Sequence, residues 1–295
     1  MGVFDKLQAI LSKQAKGGKV DVNKRFELLK EAISGTMSNF YMARDKQSDE
    51  VIGLKIGIRE KVEHFESRFV GLKKPAEGEI AIKFSHPNVV KTLEHGRTTE
   101  NVPYMVMDYV KGLGMHIMIN TNNHLLGENR LEMIEQSAMA LKYVHDQGYI
   151  HRDICPRNFI VSPDGQHVKL IDFGLTLPAT ADFMQPGNRT GTPKYMSPEV
   201  VRRRPTDHRL DIFSFGVTAY HLYALQYPWP GEDMTGKAAL AHDTVAPVDI
   251  AECCPKINKL LGRLIMKCLE VSPDARPQTM EEVVREIKRS RVTDK

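Results

Sequence analysis

The hydrophobic period of this chain changes once, at Lys111-Gly112-Leu113-Gly114, and that change limits the fold more than any other feature. Before it, from Arg25 to about Tyr109, short runs rich in Val, Ile, Phe and Tyr predict strands over 26–33, 39–44, 51–58, 90–95 and 103–109. One helix interrupts them, predicted from Pro75 to Phe84, with Pro in the first turn and Ile80 and Phe84 four residues apart. After it, Leu131, Ile134, Ala138, Leu141 and Val144 recur at spacings of three and four, the repeat of one helix face. The order predicts an α+β chain, a small antiparallel sheet region followed by a mainly helical one. Between about 147 and 199 runs a long connection with two short apolar strands, Tyr149-Ile150 and Val168-Lys169-Leu170-Ile171, each leading into polar residues. A connection of that length inside a compact domain is usually functional or disordered.

Composition excludes more than it selects. At 295 residues, 41% hydrophobic and 26% charged, the chain suits one large domain or two lobes. A net charge of +4, from 41 basic against 37 acidic residues, is too small to predict a nucleic-acid surface. The cysteines at 155, 253, 254 and 268 lack CxxC spacing, which argues against a zinc site and for reduced thiols in the cytoplasm. No run of about 18 apolar residues is present to span a bilayer. Met1-Gly2-Val3-Phe4-Asp5-Lys6 carries Lys6 where a myristoylation site wants Ser or Thr, and the start has no secretory-signal pattern. Val3, Phe4, Leu7, Ile10 and Leu11 predict a short amphipathic helix instead, followed by a flexible Lys16-Gly17-Gly18-Lys19.

The chemistry lies in the long connection. His151-Arg152-Asp153-Ile154-Cys155-Pro156-Arg157-Asn158 resembles the catalytic loop of the protein kinase family, H-R-D-x-x-x-x-N. Ile171-Asp172-Phe173-Gly174 is similar to that family's metal-binding D-F-G. An Asp-Phe-Gly alone is weak, since ordinary turns produce it, but the pair is specific. Asp172 follows Asn158 by 14 positions, with a strand, the turn Ser162-Pro163-Asp164-Gly165 and a second strand between them. Such a hairpin would present both polar groups at one edge.

Transfer of a γ-phosphoryl group needs positioning and charge neutralisation more than covalent help. The resemblance makes Asp153 the acceptor of the attacking hydroxyl's proton and Asn158 and Asp172 the oxygen ligands of Mg2+. It places Lys55, in Glu50-Val51-Ile52-Gly53-Leu54-Lys55, as the lysine that holds the ATP phosphates. Its ion-pair partner in the family precedes the His-Pro-Asn turn by about nine residues, which selects Glu77 ahead of His86-Pro87-Asn88. Glu79 is the rival, and two residues on a helix are about 200° of rotation, so only one of them can face Lys55.

Gly191-Thr192-Pro193-Lys194-Tyr195-Met196-Ser197-Pro198-Glu199 is similar to the end of a serine/threonine kinase activation segment, with Thr192 bonding near Asp153. Asp211 and Arg276 match structural positions, Arg276 as the salt-bridge partner of Glu199, and both favour a protein substrate over a small-molecule one. Arg152 before Asp153 implies regulation by phosphorylation of the activation segment, with Thr180 and Thr190 as acceptors and the family's usual position nearer Asn188. The hinge maps to Met107-Asp108-Tyr109-Val110: Met107 behind the adenine, the backbone of Asp108 and Val110 bonding it, and Ile160 as an apolar floor.

Two departures stand out. The glycine-rich loop aligns on Ile33 to Phe40, where only Gly35 survives and Phe40 replaces a smaller Val over the adenine. Cys155 stands where serine/threonine kinases place a lysine near the γ-phosphate, while Arg157, before Asn158, sits as in many tyrosine kinases and would supply that charge. Both departures also fit a pseudokinase, a nucleotide-binding scaffold or partner-binding module. The resemblance implies a bilobal protein-kinase-like fold: an extension over 1–24, a β-rich nucleotide-binding N-lobe over 25–110 and a helical C-lobe over 111–291. It implies ATP and Mg2+ as cofactors, a protein substrate, no nucleic-acid partner, and a monomer or transient dimer.

Overall fold

The structure, a computed structural model, describes residues 19–30, 33–35, 37–186, 189–229 and 238–292. The helix predicted before Lys16 lies outside them. The chain divides into two compact units, one ending at Ser85 and resuming over Val90–Val110, the other holding His86–Val89 and the chain from Lys111.

In the first unit a short helix α1 (Val22–Arg25), capped by the Asp21 carboxylate on the N–H of Lys24, leads into the strands β1 (Phe26–Leu28), β2 (Ile33–Ser34), β3 (Ser38–Asp45) and β4 (Glu50–Gly57). After the helices α2 (Arg59–Glu66) and α3 (Glu77–Ala81) come β5 (Thr92–Arg97) and β6 (Pro103–Asp108). The sheet is antiparallel in the order β1-β3-β4-β6-β5, with β2 also on β3. Period two puts Ile52 and Leu54 of β4 in a core with Phe26, Ala43, Tyr104 and Val106, and so turns Lys55 to the opposite face.

Two predicted strands and one predicted helix need correction, and the strand expected over 90–95 runs instead from Thr92 to Arg97. The strand expected over 26–33 is pairing only to Leu28, and a separate strand begins at Ile33. The helix expected from Pro75 begins at Glu77, because Glu79 turns back to accept the N–H of Ala76 at 2.8 Å and Ala76 is extended. Pro75 therefore precedes the cap. Helix α2 was not expected, although Val62, Phe65 and Phe69 carry its three- and four-residue spacing. Its end packs Phe65 against Phe69 at 5.3 Å between centroids, under the Lys74 ammonium, whose pKa burial lowers.

Below the sheet, Arg25 forms a buried ionic network. Its guanidinium reaches Asp45 at 2.8 Å and Glu94 at 2.7 Å, and the Tyr104 hydroxyl donates to Glu94 at 2.5 Å. Burial alone would lower the Arg25 pKa, but the two carboxylates outweigh it and raise it. Removing one member of such a network leaves an unpaired buried charge, at a cost of about 3–5 kcal/mol.

In the second unit the helices are α4 (Met115–Asn120), α5 (Leu126–Asp146), α6 (Pro198–Val201), α7 (Arg209–Ala224), α8 (Ile250–Cys253), α9 (Lys259–Cys268) and α10 (Met280–Val292). Small sheets lie among them: β7 (Leu113–Gly114) and β10 (Val168–Leu170) flank β9 (Phe159–Val161), and β8 (Tyr149–Ile150) pairs with β11 (Leu177–Pro178). The hairpin of β9 and β10 turns at Ser162 to Gly165, as the sequence predicts. Helix α7 is buried all round from Leu210 to Leu222, so it serves as the post on which the loops are hung. The carboxylate of Glu199 and the guanidinium of Arg276 meet in two bonds of 2.8 Å, and the remaining Arg276 donors go to the carbonyls of Arg209, Glu270 and Val271. Among the described residues no helix is long and apolar enough to cross a membrane, and the four cysteines are free thiols.

Candidate active site

In the first unit the Nζ of Lys55 lies 2.5 Å from Oε1 of Glu77, while Glu79 is spent on the start of α3. Of the two glutamates, Glu77 is the one that faces Lys55. Strand register places Phe40 beside Lys55 and Gly53 beside Met107. A Cβ on Gly53 would stand 2.9 Å from the Phe40 ring and 3.0 Å from the Met107 side chain. Gly53 is therefore the counterpart of Phe40: the large ring occupies the volume a side chain would need. Sequence reading noted Phe40 and passed over Gly53, because their relation lies across two strands.

The Gly35 N–H donates to the carbonyl of Ser38 at 2.8 Å, closing the turn between β2 and β3, and Ile33 is 73% exposed. Met107 is buried, Val110 is half-buried, and the N–H of Asp108 is bonded to the carbonyl of Lys91.

In the second unit the catalytic-loop residues converge. Oδ1 of Asp153 accepts from both the N–H and the hydroxyl of Thr192, at 2.8 and 2.7 Å. The amide of Asn158 donates to the Asp153 carbonyl at 2.7 Å and to its Oδ2 at 3.2 Å. Asn158 therefore keeps its own carbonyl oxygen as an acceptor, and its backbone carbonyl accepts from Ile171, at the head of the Asp-Phe-Gly run. Asp172 is exposed, has φ of 67°, and takes the N–H of Gly174 at 3.0 Å. Arg157 is exposed on the turn Pro156–Asn158, and Ile160 on β9 is half-buried.

The backbone of this loop is held in a costly shape. Arg152 has φ of 70°, sparsely populated for a side chain of its kind. Both carboxylate oxygens of Asp211 on α7 fix it, one accepting from the N–H of His151 and the other from that of Arg152, each at 2.8 Å. His145 adds a third bond at 2.9 Å. Burial would raise the Asp211 pKa, yet these donors hold it below the usual carboxylate range. Gly191, with φ of 125°, passes close by, and a Cβ there would stand 2.9 Å from the carbonyl of Arg152. That approach is what delivers Thr192 to Asp153.

Cys155 is buried, 3.6 Å from the Thr192 hydroxyl, and burial pushes its thiol up to about 12. Thr190 is buried and Thr180 exposed, so of the two activation-segment hydroxyls Thr180 is the one solvent reaches. Two histidines that sequence reading passed over grip the same segment. His221 Nδ1 lies 2.8 Å from the Tyr195 hydroxyl, and His242 Nδ1 donates to the carbonyl of Met196 at 2.8 Å.

A lysine–glutamate pair beside a β-sheet, and an aspartate loop followed by Asp-Phe-Gly in a helical unit, are the parts of a phosphotransferase of the kinase class. The chain belongs to the protein kinase domain family, whose model matches residues 26–287. It is 30% identical to a probable serine/threonine-protein kinase of Clostridium perfringens over 92% of this chain and 39% of that one. It is 29% identical to the serine/threonine-protein kinase PknB of Mycolicibacterium smegmatis, over 88% of this chain and 42% of that one. It is 30% identical to the serine/threonine-protein kinase pkn3 of Myxococcus xanthus, over 84% and 46%. The chain thus spans less than half the length of these relatives.

Proposed function

We propose that this chain is an ATP- and magnesium-dependent serine/threonine protein kinase domain that transfers the γ-phosphoryl group to protein hydroxyls. The observation that carries the reading is the grip on Asp153, bonded from one side by Thr192 and from the other by Asn158. A carboxylate so fixed can orient a hydroxyl and take its proton as the acceptor oxygen bonds to phosphorus and the bond to the β-phosphate oxygen breaks, releasing ADP. Lys55, steadied by Glu77, holds phosphate, and exposed Arg157 supplies the cation that Cys155 cannot. Ile33, Gly35, Phe40, Met107, Asp108 and Val110 of the first unit, and Ile160 of the second, are the proposed nucleotide contacts.

The oxygen donors Asn158 and Asp172 suit magnesium, which usually takes one or two carboxylates together with substrate phosphates and waters. Bound there, it would neutralise charge on the phosphates. Among the described residues no cluster of three or more His, Cys, Asp or Glu offers a site for another metal. The lobe boundaries at 25–110 and 111–291, action in the cytoplasm as a monomer or transient dimer, and control through Arg152 and the activation segment belong to the same proposal. The pseudokinase reading is not favoured, because Lys55, Asp153, Asn158 and Asp172 are all present.

The test is incorporation of labelled phosphate from Mg-ATP, comparing the chain with Asp153→Asn at matched melting temperature. Asp153→Asn should lose at least about a hundredfold in rate. Product analysis should find phosphoserine or phosphothreonine. Phosphotyrosine alone would overturn the hydroxyl assignment, and no incorporation with no thermal shift from Mg-ATP would sink the enzyme.

A further inference from the structure

We propose that Lys194 selects acidic substrates, its ammonium reading an Asp or Glu within three residues of the accepting Ser or Thr. The inference rests on the kinase reading above and names its substrate class.

Position comes first. Lys194 follows Thr192 by two residues, and Thr192 is bonded to the Asp153 carboxylate. Two residues span at most about 7 Å, so a hydroxyl presented to Asp153 brings its neighbours within reach of the Lys194 side chain. Next is pre-organisation. The Lys194 Nζ sits 4.1 Å from the centroid of the Tyr227 ring. A ring face holds a cation without accepting strong hydrogen bonds, so the ammonium is placed while its donors remain available to a carboxylate.

The Tyr227 ring is itself stacked on His221, 4.2 Å between centroids, and His221 is tied to the Tyr195 hydroxyl. Burial, then the nearby Lys194 charge, pushes the His221 pKa down to about 4. The wall behind Lys194 is therefore neutral at ordinary pH and does not repel it.

Charge bookkeeping points the same way. Among the described residues neither Lys194 nor Arg157 forms an ion pair, whereas three carboxylates of the neighbouring segments are already engaged. Asp153 is held by Thr192 and Asn158, Glu199 by Arg276, and Asp243 by Arg202. A basic substrate side chain would meet two unpaired cations, and none of these three carboxylates is in need of a partner; an acidic one completes the set.

The experiment uses matched peptides with a central Ser or Thr, carrying Glu, Ala or Lys at single positions from three before to three after it. The readout is kcat/KM with Mg-ATP. At one or more of these positions the Glu peptide should exceed the Ala peptide by roughly three- to tenfold, with Lys below both, and the gap should shrink with added salt. Lys194→Ala should keep the rate on the Ala peptide and lose the preference, Lys194→Arg should retain it, and Lys194→Glu should reverse it. Tyr227→Leu, which releases the ammonium but keeps its charge, should give an intermediate preference. Transfer to all peptides at one rate, or a preference that survives Lys194→Ala, overturns this inference alone. No transfer to any peptide, with no autophosphorylation, overturns the kinase reading and this inference with it.

Discussion

Cys155 stands beside the proposed proton acceptor and yet is chemically quiet. Desolvation pushes its thiol up to about 12, and the same holds for fully buried Cys268. Cys253 and Cys254 are half-buried, so reactivity divides the four thiols by access rather than by sequence. Thiol titration with an aromatic disulfide should therefore find no more than two reactive groups in the folded chain and four after denaturation; a third fast thiol would contradict the burial of Cys155. Lys55, Asp153, Asn158 and Asp172, the residues proposed for phosphoryl transfer, could be read from sequence because each stands in a motif that resembles the family's. His221 and His242 could not, since they act on the site only by gripping Tyr195 and Met196 from a distance in the chain.

Elements were legible where periodicity is local and illegible where a partner decides. The strands β3, β4 and β6 lie within a residue of their expected limits because short runs of strand-favouring residues mark them locally. Helix α3 is shorter than its sequence suggests at both ends: the Glu79 cap starts it at Glu77, and it closes at Ala81 instead of Phe84. Gly53 is a requirement of β3 imposed on β4. The double-mutant cycle follows directly: Gly53→Ala should lower the melting temperature and raise the KM for ATP, by forcing Phe40 and Met107 apart. With Phe40→Val added, most of that loss should return, a coupling of about 1 kcal/mol between the two sites. Additive losses would mean the ring does not occupy that volume.

For the molecule as a whole, burial of neutral histidines predicts how stability answers to pH. The His221 pKa is pushed down to about 4, and burial also lowers those of His151 and His242. Below pH about 6.5 the unfolded chain takes up protons that the folded chain refuses, so stability falls as pH drops from there toward 4. His221 alone accounts for about 3 kcal/mol of that fall. Melting temperature measured from pH 7 to 4.5 should decline, and His221→Gln should make the decline shallower; a flat profile would contradict the burial. A different consequence comes from Asp211, a fully buried carboxylate whose two oxygens take the amides of His151 and Arg152. Because a core helix supplies the bonds that keep Arg152 left-handed, the loop bearing Asp153 is expected to open together with α7 as one cooperative unit. Damage far away in that helix should then lower the population of competent molecules, each keeping its full rate, instead of giving a uniform population of slower ones.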